Sequence, residues 1–270
     1  MEESHSLKHY PLNVRLKSLY IIWYRELLIY WRNRIKVFTS IFLPLLLIVF
    51  FGAGFKAIFP TNLLPYDFSQ FFYPGILSLS TAVMAMSSTL SIVWDREFGF
   101  LREILVSPIP RSNIVLGKIL GATTVASIQG GLLLLVAPYL SLELKLIDFI
   151  EIVIFLLIFN AGVSALGVFF ASGIKKTESF SIFLQIVIAP MSFLSGAFFP
   201  LNNLPLWIKY LAHLNPFSYG ADGLRWLVLS SSLKKEEILL FTLHPLNTSI
   251  LFLIIFDIII FALAIYRFKR

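Results

Sequence analysis

Long apolar runs recur along this chain and leave few folds open to it. Backbone amides that enter hydrocarbon have no water to bind, so a crossing segment must satisfy its own polar groups. Runs long enough to cross roughly 30 Å of hydrocarbon occur near residues 37–59, 71–93, 114–140, 149–172, 179–199 and 248–266. The expectation is an all-α integral membrane protein with six transmembrane helices. Composition agrees: 58% of residues are hydrophobic and 14% charged, whereas a soluble domain is nearer half apolar and a quarter charged. An ordinary cytosolic enzyme is excluded. At 270 residues there is room for one membrane domain, without a separate ATPase module.

The chain carries a net charge of +7, and the placement of its basic residues decides what that means. Lys8, Arg15, Lys17, Arg25, Arg32, Arg34 and Lys36 precede the first apolar run, and Arg267, Lys269 and Arg270 follow the last. This is the bias of a cytoplasmic membrane face rather than of a nucleic-acid binder. With both termini inside, the short loops fit. Residues 60–70 contain no Lys or Arg, 94–113 contain Arg96, Arg102 and Arg111, 141–148 contain Lys145, and 173–178 contain Lys175 and Lys176. The longer loop 200–247 is basic against this trend, but long loops count for little. The expected organisation is a cytoplasmic N-terminus with an interfacial helix (1–36), one multi-pass domain in the cell membrane (37–266) and a cytoplasmic C-terminus (267–270). The 36 mixed residues before the first run are too many and too charged for a signal peptide's leading region, so no cleaved leader is expected.

Residues 13–36 interleave Leu16, Leu19, Ile22, Trp23, Leu27 and Trp31 with charges, as a helix lying among lipid headgroups does. A cytoplasmic extension of the first span is the alternative. Residues 94–111 read as a short amphipathic helix. At 100° per residue, Asp95, Arg96, Gly99, Arg102 and Glu103 share one arc and Phe98, Leu101, Ile104 and Leu105 the other, and Pro108 and Pro110 end it. Glu97 falls on the apolar arc, where it needs a donor or a bend. The stretch is either a docking surface or a solvated connector. Further on, two apolar pieces, about 205–214 and 218–229, are each too short to cross and are divided by Asn215-Pro216. They predict a re-entrant hairpin within 200–229, or else a folded external loop with Trp207 and Tyr210 in the interfacial belt. Inside the spans lie Gln129, Asn160 and Gln185, which as a rule bond between helices. Asp257, central in the last span, is either a helix-to-helix hydrogen bonder or a proton or cation site. Gly117 and Gly121 allow close helix approach, within the chain or between copies.

Catalytic and metal chemistry find no support. There is no Cys, the four His never stand at a ligand spacing, and no phosphate-binding Gly-x-x-x-x-Gly-Lys-Ser/Thr loop or hydrolase motif is present. Any use of ATP requires a partner.

Two motifs now converge. Arg96-Glu97-Phe98-Gly99-Phe100-Leu101-Arg102-Glu103, with Ser107-Pro108, Arg111 and Gly117-Lys118 after it, resembles the signature loop of type-2 ABC transporter permeases, among them bacterial and archaeal drug, polysaccharide and nodulation-factor exporters. Ser195-Gly196, Phe199-Pro200, Leu204-Pro205 and Leu214-Asn215-Pro216 through Tyr219 to Arg225 are similar to the same family's motif before its last span. The resemblance implies a coupling helix docking on a separate ATP-binding subunit, with Arg96, Glu97, Phe98, Gly99, Leu101, Arg102 and Glu103 as the coupling residues, Phe98 and Leu101 being apolar anchors. It implies external re-entrant helices, with Pro200, Pro205, Asn215, Pro216 and Tyr219, capping the pathway, and a second permease copy. ATP and magnesium would reside in the partner, and the cargo would be an amphipathic drug, lipid or glycan exported across the cytoplasmic membrane. The rival from another class is an ion-driven secondary transporter using Asp257.

Overall fold

The computed structural model describes residues 11–58, 68–101, 106, 109–140, 142, 144–202 and 204–269. Among them the regular elements are all helical: α1 (Leu12–Arg32), α2 (Arg34–Ile58), α3 (Phe68–Ser88), α4 (Leu90–Glu97), α5 (Arg111–Leu134), a 3-10 turn (Ala137–Leu140), α6 (Leu146–Ala171), α7 (Thr177–Phe193), α8 (Leu206–Leu214), α9 (Pro216–Leu229), α10 (Lys235–Leu239) and α11 (Leu246–Lys269).

Among the described residues five stretches are long and apolar enough to cross a membrane: Arg34–Gly52, Gln70–Glu97 (α3 continuing into α4), Arg111–Leu134, Leu146–Ala171 and Leu246–Phe268. The run expected over 179–199 forms α7, which at 17 residues rises only about 26 Å. Its end is set by Ser195-Gly196. Ser195 Oγ accepts from the Ala197 amide at 3.1 Å, and Gly196 takes φ +74°, a conformation that a side chain disfavours. The third run also stops early, at Leu134, before the 3-10 turn.

Burial sorts the helices into centre and periphery. In the most apolar windows of α3–α4, α5 and α6, 67%, 72% and 61% of residues are buried, against 17% for α2 and 22% for α11. Small residues let the central helices close up. A Cβ on Gly130 of α5 would stand 2.8 Å from Leu156, and one on Gly167 of α6 would stand 2.7 Å from Thr89 Oγ1 at the α3–α4 junction. Helix α1 buries Ser18, Ile22, Glu26 and Tyr30, one stripe at four-residue spacing, and lays it on α5. Gly117 and Gly121 are the groove for that stripe: added Cβ atoms would meet Ile22 and Glu26 side chains at 2.8 and 2.5 Å. This glycine pair therefore serves packing within the chain.

Candidate coupling junction

The cytoplasmic-side expectation centres on the end of α4, where the chain turns sharply. Phe98 ends the helix and Gly99 adopts φ +80° with open space around it, so the continuous helical wheel drawn from the sequence is broken there. Three residues just before the turn are bound into the bundle. Asp95 is buried and accepts from Arg25 through both oxygens (Nη2 to Oδ1 2.6 Å, Nη1 to Oδ2 2.9 Å) and from Lys118 Nζ at 2.6 Å. Lys118, also buried, reaches Glu26 Oε1 at 2.7 Å and Ser91 Oγ at 3.1 Å, and Arg25 lies 3.3 Å from Glu26. Two cations and two carboxylates thus tie α1, α4 and α5 together. A buried charge is tolerable only when it is paired and its hydrogen bonds are filled. Burial works against the Arg25 charge, yet its Asp95 hydrogen bond and the nearby carboxylates hold the guanidinium above its ordinary value.

Arg96 and Glu97 reach the opposite way. Arg96 Nη1 donates to the carbonyls of Ile174 (2.8 Å) and Ala171 (3.3 Å), satisfying acceptors left over at the end of α6. Glu97 Oε2 accepts from the Thr177 amide at 2.9 Å and its hydroxyl at 2.5 Å, placing an anion on the N-terminus of α7 where the helix dipole favours it. The donor and the bend that the sequence demanded for Glu97 are both present. Phe98, by contrast, is 81% exposed. Leu101, the second apolar anchor that the resemblance implied, is buried at 7%; its surface is already used within the chain. Arg102 and Glu103 lie outside the described residues.

The motif before the last span forms two helices broken at Asn215-Pro216, Leu206–Leu214 and Pro216–Leu229, where the sequence placed the break. Asn215 caps α9, accepting from the Phe217 amide at 3.1 Å while its Nδ2 donates to Met191 O at 2.7 Å; Pro216, lacking an amide proton, takes the first helical position. All of α9 except Trp226 is buried, against α3, α6 and α11. Helix α8, which starts after Pro205, buries only Ala212. Pro200 lies in the turn after α7. A polar chain holds the pair together. Arg225, fully buried, donates to Gly196 O (2.5 Å) and to Asp222 Oδ1 (3.3 Å) and lies over the Phe71 ring. Asp222 Oδ2 accepts from the Leu243 and His244 amides and from His244 Nδ1, all within 3.0 Å. His244 Nε2 then meets His213 Nδ1 at 2.8 Å, Tyr219 stacks on the His244 ring, and its hydroxyl donates to His213 O.

Comparison with known proteins decides the family. The model of the ABC-2 type transporter family matches residues 17–229, well over half of the chain. The chain belongs to the ABC-2 type transporter family. Its relatives include ycf38 of Cyanophora paradoxa, named as a transport permease, 30% identical over 92% of this chain and 88% of that protein. In Escherichia coli K12 there are YbhR, named as a multidrug ABC transporter permease (25% identical, 62% of this chain, 45% of that one), and the inner membrane transport permease YadH (24%, 60% and 63%). ABC-2 permeases are multi-pass membrane subunits of ABC transporters, and membership implies an ABC ATPase partner.

The polar residues inside this ABC-2 permease's spans divide. Gln129 Nε2 donates to Ser40 O at 2.6 Å and Asn160 Nδ2 to Ser127 Oγ at 3.2 Å, both between helices. Gln185 is exposed on α7 and makes no interhelical bond among the described residues, a correction whose reason is the outward direction of that face. Asp257 is tucked against Gly162, where any added Cβ would collide with its Oδ1, yet that oxygen finds no hydrogen-bond partner among the described residues. Sequence reasoning missed the Arg25–Glu26–Asp95–Lys118 cluster and the Asp222–Arg225–His244 chain. The available signal was a lysine, Lys118, stranded inside an apolar run.

Proposed function

We propose that this ABC-2 permease exports an amphipathic drug, lipid or glycan-type molecule across the cytoplasmic membrane, using ATP and magnesium held by its partner ATPase, and that two copies form the pathway. Both termini are cytoplasmic in this reading, α7 serves as the shortened fifth of six spans, and the α8–α9 hairpin caps the outer end of the route. The chain itself supplies no catalytic group; its work is mechanical. The multidrug name of YbhR supports an amphipathic cargo.

The reading rests on Phe98, a large apolar side chain 81% exposed on a glycine turn whose two preceding residues, Arg96 and Glu97, are bonded to the end of α6 and the start of α7. A partner that grips Phe98 pulls on those helices directly, and through Asp95 on α1 and α5, so that closure of the ATPase pair biases a two-state packing of the permeases. Affinity purification of the tagged protein from native membranes in mild detergent tests it. Wild type should bring down an ATP-hydrolysing subunit and Phe98→Ala should lose most of it while still inserting in the membrane; equal recovery by both would remove this turn from the mechanism. The unpartnered Asp257 favours a second reading, ion-driven transport, which requires flux that survives ATP depletion and disappears in Asp257→Asn.

A further inference from the structure

Between α2 and α3 runs a groove of about 390 Å³, floored by Gln129 of α5 and walled by residues that include Leu43, Leu47, Ile76 and Met84, within the size range of small-ligand sites. Lys36 stands at one end. It is half-buried, and its ammonium makes no hydrogen bond or ion pair among the described residues, unlike Arg25 and Lys118 of the neighbouring cluster. The same lysine shares a small cleft with Glu26, Ser87 and Trp94, so it belongs electrostatically to the junction described above. There the balance is uneven. Glu26 and Asp95 are already engaged by Arg25 and Lys118, and Lys36 adds a third cation to two carboxylates. An excess positive charge, partly withdrawn from water, at the mouth of an apolar groove is completed by an anion that carries an apolar tail.

We propose that this groove holds one anionic phospholipid, its headgroup phosphate on Lys36 and an acyl chain running between α2 and α3 toward Leu47. From Lys36 to Leu47 the helix rises roughly 16 Å, the reach of a lipid chain segment rather than of a headgroup. Along the way Ser40 and Ser80 give their hydroxyl protons to carbonyls of their own helices, so the walls offer few donors to compete with Lys36 for the anion. The inference goes beyond the transport reading and needs only that the chain sit in a bilayer.

Binding of phosphatidylglycerol and phosphatidylcholine with identical fluorescent tails to the purified full chain in neutral detergent tests it. Wild type should prefer phosphatidylglycerol at least tenfold, Lys36→Gln should reduce that preference to within about twofold, and Lys36→Arg should keep it. The wild-type comparison needs no variant: equal affinity for the two lipids, or binding of neither because a second copy covers the groove, overturns the proposal. So does a preference unchanged in Lys36→Gln. Preference lost only in the Arg32→Gln/Arg34→Gln pair also overturns it and moves the headgroup to the α1–α2 elbow, where those arginines flank a separate groove.

Discussion

Asp95 is the residue on which most of the junction depends, since it meets both Arg25 and Lys118 at 2.6 Å, whereas Glu26 stands 3.3 Å from Arg25. Replacing it by Asn leaves Lys118 and Arg25 with one carboxylate between them, in a site where an uncompensated charge is strongly unfavourable. Asp95→Asn should destabilise the protein by about 3 kcal/mol, read from reversible unfolding in mixed detergent, and Asp95→Asn/Lys118→Met should recover part of the loss by restoring charge balance; a double variant worse than the single would refute the pairing. At the other end, His213 is held below its usual value by partial burial and by His244, against an opposing pull from Asp222. The unfolded chain therefore binds the proton more readily than the folded one between that lowered value and about 6.5. Stability from this group is present above 6.5 and falls as pH drops through that window. Hydrogen-exchange protection over residues 206–214, taken relative to the intrinsic exchange rate at each pH, should fall between pH 7.5 and 5.5, and His213→Asn should flatten the change. Neither group was evident as a partner in the sequence, because Asp95 and Lys118 are 23 residues apart and His213 and His244 are 31 apart.

At the level of elements, the turn after α4 owes its form to one glycine. A β-branched residue in the left-handed region costs about 1–2 kcal/mol, so Gly99→Val should redirect Phe98 while the buried Asp95 cluster keeps α4 in place. The expected result is normal membrane insertion with reduced recovery of the ATPase partner; full recovery would show that the direction of Phe98 does not matter. Helix ends were legible where local chemistry marks them, as at Asn215-Pro216. They were not where a run of apolar residues simply stops being helical, as after Phe193. Hydropathy is blind to the turn at Ser195-Gly196, since small and apolar residues read alike in a helix and in a tight bend.

Across the whole molecule, the absence of Cys makes orientation directly measurable. With the termini inside, Phe98→Cys should react with an impermeant maleimide only in inside-out vesicles, and Tyr210→Cys, on the exposed face of α8 (68% exposed), only in intact cells. The reverse pattern would invert the topology and with it the place of the ATPase.

Apolar run length, basic flanks and two local motifs were enough, before any fold was known, to indicate a membrane protein of this family, because lipid imposes its constraint on each segment separately and motifs are contiguous. Which charges pair, that Leu101 is spent within the chain while Phe98 stays exposed, that α2 and α11 lie at the rim, and that Lys36 makes no ion pair among the described residues are properties of approach between distant segments. They depend on glycine grooves and helix ends meeting in space, and no window along one chain carries that information.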